Sequence, residues 1–126
     1  MILPEWTIPE LQEKLAAGEL TARQLADLYL QRIEAVDKNG SLINSIIQLN
    51  PDALDIADAL DRERKEGKVR GQMHGIPVLL KDNIDTHDRM QTTAGSLALE
   101  GNIAAKDALH EITTQFHNKT DHEIAS

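Results

Sequence analysis

The stretch His74-Gly75-Ile76-Pro77-Val78-Leu79-Leu80-Lys81-Asp82-Asn83-Ile84-Asp85-Thr86 constrains the fold of this chain more than any other. A short, unbroken apolar run bounded by turn residues predicts a strand buried on both faces, with Pro77 tolerable at its first position. Gly71 and Gly75 mark the turn that leads in. Lysine, aspartate and asparagine then follow in succession. Polar side chains at the end of such a strand lie where open α/β sheets usually place their chemistry, so Lys81, Asp82 and Asn83 are candidate site residues.

The chain around this stretch reads as helices with one further strand. Thr7-Ile8-Pro9-Glu10 has the form of a capping box with proline in the first turn, which predicts a helix from about Ile8 to Ala17, ended by Gly18. Thr21 begins a longer helix to about Asp37, with Leu25, Leu28, Tyr29, Ile33 and Val36 at helical spacing and Arg32 at the edge of that stripe. Ile43–Leu49 is short, apolar and β-branched and is stopped by Asn50-Pro51, which predicts a strand. A third helix opens at Pro51-Asp52 and runs to about Glu66, its second half alternating in charge as a solvated face does. Residues 86–96 predict a loop, with Ser96 as an N-cap. After Lys106 helix propensity persists to about Phe116, and the rest reads as a polar tail that frays. Two parts follow: 1–106 as the ordered portion and 107–126 as a divergent tail.

Composition narrows the function. At 126 residues the chain is sized for one small domain. Its only aromatic residues are Trp6, Tyr29 and Phe116, so the interior must be built from Leu, Ile, Val and Ala, which favours helices over a β-sandwich. A net charge of -8 argues against a phosphate-backbone partner, and nucleic acid is not expected. Without cysteine there is neither a disulfide framework nor a thiolate site. The start of the chain shows no basic segment followed by an apolar one, and no apolar run reaches the length of a membrane span, so the expected location is cytoplasmic and no membrane contact is expected. Of the five histidines, His110 and His117 could share a helix face. Metal pairs more often use three- or four-residue spacing, however, and no carboxylate completes the set, so neither metal nor cofactor is expected.

His74-Gly-Ile-Pro-Val-Leu-Leu-Lys-Asp-Asn-Ile-Asp, followed by Thr92-Thr93-Ala94-Gly95-Ser96-Leu97-Ala98-Leu99, closely resembles the front half of the amidase signature family of serine hydrolases. The likeness runs roughly from Glu5 to Lys106. It implies an α/β fold, here the helical opening and first strands of the family's mixed sheet, and amide C–N hydrolysis by a Ser-Ser-Lys triad whose lysine matches Lys81. In such a triad the lysine takes the hydroxyl proton through a bridging serine, and that requires a neutral amine, hence a covered one. Asp82, Asn83, Thr93, Gly95 and Ser96 read as structural residues near the site rather than as nucleophiles.

The Gly/Ser-rich segment that carries the family's two serines and oxyanion amides has no counterpart in these 126 residues, and no glycine follows Gly101. A truncated, frameshifted or split reading frame would produce such a pattern. Three functions are then weighed. The first is an amidase portion that contributes its lysine, is inactive alone, and meets a small-molecule amide only when completed by the segment it lacks. The second is an assembly module that pairs or self-associates through exposed apolar surface. The third is a self-sufficient hydrolase using Ser96 or Thr93, which the lack of a Gly-rich oxyanion loop disfavours.

Overall fold

Thr7 begins the first helix as its sequence predicts. Its hydroxyl accepts from the Glu10 amide at 3.4 Å while the Glu10 carboxylate accepts from the Thr7 amide at 2.7 Å, so two orphan donors are satisfied reciprocally. The resulting α1, Ile8–Ala17, ends at Gly18, whose φ of 73° is the left-handed conformation glycine adopts without penalty. Thr21 and Gln24 repeat the device at the start of α2, Ala22–Arg32. The helix does not continue regularly to Asp37: residues Ile33–Lys38 form a π-helical turn. The third helix, α3, spans Ala53–Lys65. The structure is a computed structural model, and it describes residues 4–108. The expected helix to Phe116, the frayed tail and His110, His117 and His122 lie outside the described residues.

Two apolar clusters meet on α2. Leu11 and Leu15 of α1 pack with Leu25 and Ile76, and Trp6, Leu20, Tyr29 and Met73 close the edges. On the other side Ala22 and Ala26 face Ala57 and Leu60, and the three alanines let α2 and α3 lie close together. Asp61 of α3 fixes that contact by accepting from two first-turn amides of α2, Ala22 at 2.7 Å and Arg23 at 3.1 Å. A carboxylate at a helix N-terminus satisfies orphan donors and opposes the positive end of the dipole.

The turn before Ile76 seats against this helical unit. Gly75 has φ 81°, and a Cβ placed there would come within 3.0 Å of the Ala22 Cβ, so only glycine lets the turn approach α2. His74 is fully buried. Its Nδ1 accepts from the Arg70 amide at 3.3 Å, so the proton sits on Nε2, which donates to the Leu60 carbonyl at 2.9 Å. The His74 carbonyl in turn accepts from Gln12 of α1 and Arg64 of α3, both at 3.0 Å. One residue thus ties α1, α3 and the turn together. Burial pushes the His74 pKa below its ordinary value and holds the ring neutral, which matches the tautomer these partners require.

The two strands read from the sequence take a different form. Among the described residues no strand is assigned, and 43–50 and 76–81 run irregularly without a ladder, so the ordered part is helical. A strand exists only by pairing, and among the described residues neither segment has a neighbouring strand. The first is instead held by side chains. Asp37, buried in the π-helical turn, accepts from the Ser45 amide at 2.7 Å, the Ile46 amide at 3.2 Å and the Ser45 hydroxyl, and Lys38 pairs with it at 3.3 Å. The Ser45 hydroxyl, ahead of the two backbone amides, holds the Asp37 pKa down to about 2. No helix among the described residues is long and apolar enough to cross a membrane.

Candidate functional site

Lys81 leaves the end of the apolar segment and is exposed. It lies at the rim of a cavity of about 270 Å³ between 45–48 and 79–82, with Ile84, Thr86, Met90 and Gln91 on its far wall. The covering that a proton-accepting lysine needs is not provided by the described residues. The Lys81 carbonyl accepts from the Ile84 amide at 3.0 Å, closing a tight turn that contains Asp82 and Asn83.

Asp82 links this turn to the second sequence block. Its backbone carbonyl accepts from the Ala94 amide at 2.9 Å, its Oδ1 from the Thr93 amide at 3.3 Å, and its Oδ2 from the Thr93 hydroxyl. Asp82 and Thr93 thus form a clamp that fixes 93–94 beside the lysine turn. Asn83 is exposed within the turn. Gly95 has φ 76°, and its amide donates to the Thr93 hydroxyl at 3.3 Å.

Ser96 caps a short 3-10 turn, Leu97–Leu99, by accepting from the Ala98 amide at 3.3 Å, as the sequence reading has it. The hydroxyl proton of Thr93 goes to Asp82, and Ser96 serves its own helical turn. Neither hydroxyl is hydrogen-bonded to Lys81, so the arrangement lacks the lysine-to-serine relay that activates a nucleophile.

Further along, the chain is stitched back to its front. Gln48 accepts from the Gln91 amide at 2.9 Å, and Asp52 from Arg89 at 2.7 Å. Thr92 and Asn102 exchange two bonds of 2.9 Å. These pairs and most of the bonds at the His74 and Asp37 anchors escape sequence reading, because partners such as Asp37 and Ser45 or Gln12 and His74 lie 8 and 62 residues apart and no local pattern joins them. The one legible signal was Gly75 beside His74, which marked a tight turn. Among the described residues no group of three or more metal-ligating side chains converges.

The amidase family profile matches residues 24–116. A Schizosaccharomyces pombe chain that carries the amidase name is 47% identical over 106 residues, covering 84% of this chain and 18% of its own. A glutamyl-tRNA(Gln) amidotransferase chain of Streptomyces coelicolor is 41% identical over 103 residues, covering 81% and 20%. Among solved structures, the native peptide amidase of Stenotrophomonas maltophilia superposes with a TM-score of 0.78 at 50% identity, over 82% of this chain and 21% of its own. The chain therefore spans about a fifth of the length of the relatives it matches.

Proposed function

The chain belongs to the amidase family, and from that premise we propose that it carries the proton-accepting lysine of an amide-hydrolysing site, Lys81, and none of the hydroxyl groups that lysine would serve. The observation that carries this reading is the contrast at the cavity rim. Lys81 opens onto the space between two extended segments, while the nearby hydroxyls of Thr93 and Ser96 are bound to Asp82 and Ala98. In this reading, 43–49 and 76–80 are the first strands of an α/β sheet whose remaining strands lie elsewhere in the amidase domain. Lys81 becomes a base once another layer covers it, because desolvation disfavours the charged amine. The bridging serine, the nucleophilic serine and the oxyanion amides of the Ser-Ser-Lys triad come from that same layer.

The peptide amidase relative suggests peptide amides as a first substrate class. Its test is hydrolysis of primary amides, amide esters and peptide amides by the purified chain and by Lys81→Ala. No turnover above the uncatalysed rate is expected from either. Turnover by the parent that Lys81→Ala abolishes would overturn the reading. The pairing reading, in which this chain acts as an assembly module, is favoured by one further observation: Ile47 and Leu79, both large and apolar, line the cavity beside Lys81 and are more than half exposed, as is Ile43.

A further inference from the structure

Asn39-Gly40 is the one place in the sequence where glycine follows asparagine. The pair stands where the π-helical turn ends, and residues 39–45 are all exposed. Space fixes the glycine: a Cβ at position 40 would come within 2.5 Å of the Ala35 carbonyl oxygen. The Asn39 side-chain amide caps the turn, donating to the Glu34 carbonyl at 3.0 Å and to the Glu34 carboxylate at 2.5 Å. The Asn39 backbone amide also donates to the Glu34 carbonyl, and the next bonded amide is that of Asn44, on the Asp37 carbonyl at 3.0 Å. Among the described residues the amides of Gly40, Ser41, Leu42 and Ile43 have no hydrogen-bond partner, so the backbone after Asn39 is free to turn.

We propose that Asn39-Gly40 is a site of self-modification, in which the asparagine side chain becomes a carboxylate and the loop it caps loosens. The Gly40 nitrogen gives its proton to solvent base and bonds to Asn39 Cγ; the Cγ–Nδ2 bond breaks, and Nδ2 takes up a proton and leaves as ammonia. Water then opens the succinimide ring at either carbonyl, giving aspartate or, with the chain rerouted through Cγ, isoaspartate. The other described asparagines each lack a requirement. The Ser45 amide after Asn44 is held by Asp37 at 2.7 Å, Pro51 after Asn50 has no N–H, and Ile84 and Ile103 crowd their nitrogens with β-branched side chains. At position 39 the new charge faces the Glu34 carboxylate and the last carbonyls of a helical turn, where a negative charge is unfavourable. The same turn presents Asp37, which holds Ser45 and Ile46 in the wall of the cavity beside Lys81. The modification therefore reaches that wall, whatever the part played by Lys81.

The test incubates the purified full chain at a mildly acidic and a mildly alkaline pH and maps its peptides by mass spectrometry, resolving aspartate from isoaspartate at each asparagine. Conversion at Asn39 runs about tenfold ahead of that at Asn44, Asn50, Asn83 and Asn102, because glycine alone leaves the attacking nitrogen uncrowded. It is faster at the alkaline pH, since that nitrogen must lose its proton, and Asn39→Gln, which keeps a side-chain amide but must close a larger ring, suppresses it. Conversion at Asn39 no faster than at Asn44 overturns the inference, as does a rate indifferent to pH. Asn39→Asp supplies the modified charge directly, and amide hydrogen exchange reads its effect: Ser45 and Ile46 exchange about tenfold faster than in the parent, while Leu15 of α1 keeps its protection. Unchanged exchange at Ser45 and Ile46 overturns the link to the cavity wall, and equal loss of protection at Leu15 overturns it as well.

Discussion

Replacing His74 tests the framework that carries the lysine segment. The side chain is fully buried, joins the Leu60 carbonyl at 2.9 Å to the Arg70 amide at 3.3 Å, and stands in the turn whose carbonyl holds Gln12 and Arg64. His74→Ala removes a core-sized ring and leaves two buried backbone groups without that partner. The cavity and the lost bonds together cost about 3–5 kcal/mol, on the scale of large-to-small core substitutions and orphaned hydrogen-bonding groups. Small domains hold about 5–15 kcal/mol in all, so the variant should keep only part of its cooperative unfolding. Urea unfolding followed by circular dichroism measures this at pH 7.5 and again at pH 5.5. Because burial depresses the His74 pKa, the folded state binds fewer protons than the unfolded chain. That contribution is complete above the unfolded value near 6.5 and is lost as pH falls below it. The parent chain therefore weakens between the two pH values, and the alanine variant shows less of that dependence. A variant within about 1 kcal/mol of the parent, with the same pH profile, would refute the role assigned to His74.

Gly75→Ala must adopt a left-handed φ and displace the Ala22 methyl, so it should destabilise by about 2 kcal/mol in the same unfolding assay. Asp61→Ala removes the side chain that accepts from Ala22 and Arg23, and a loss of about 1–2 kcal/mol is expected from thermal or urea unfolding. Asp37, held at a pKa of about 2, contributes stability that is complete above its unfolded value near 3.8 and is lost as pH falls toward 2; Asp37→Asn should flatten an acid-unfolding curve in that window. Lys81→Ala, at an exposed position, should shift stability by less than about 0.5 kcal/mol, which separates its effect on chemistry from any effect on folding.

What the sequence made legible was local. Thr7 with Glu10, the start at Thr21 and the stop at Gly18 fixed helix ends within a few residues, because capping depends on side chains one turn away. Ser96 was legible as a cap for the same reason. The apolar spacing of Leu25 and Tyr29 marked the face of α2 that packs, but the π-helical turn at Ile33–Lys38 was hidden, since it follows from Asp37 turning inward to hold Ser45 and Ile46. Segments 43–49 and 76–80 have the composition of strands without a ladder among the described residues, because periodicity reports which side chains suit a sheet and not whether a neighbour is present. At the candidate site, the turn after Lys81 was legible from the motif. The clamp from Asp82 to Thr93 spans 11 residues and could be seen only in three dimensions.

The central claim is that this chain brings the lysine and another part of the domain brings the hydroxyls. Its most direct test is turnover of a peptide amide by three samples: the chain alone, the chain co-purified with the remainder of the Stenotrophomonas maltophilia peptide amidase, and that complex carrying Lys81→Ala. The account predicts activity from the second sample only. Activity from the chain alone, or a complex indifferent to Lys81→Ala, would contradict it.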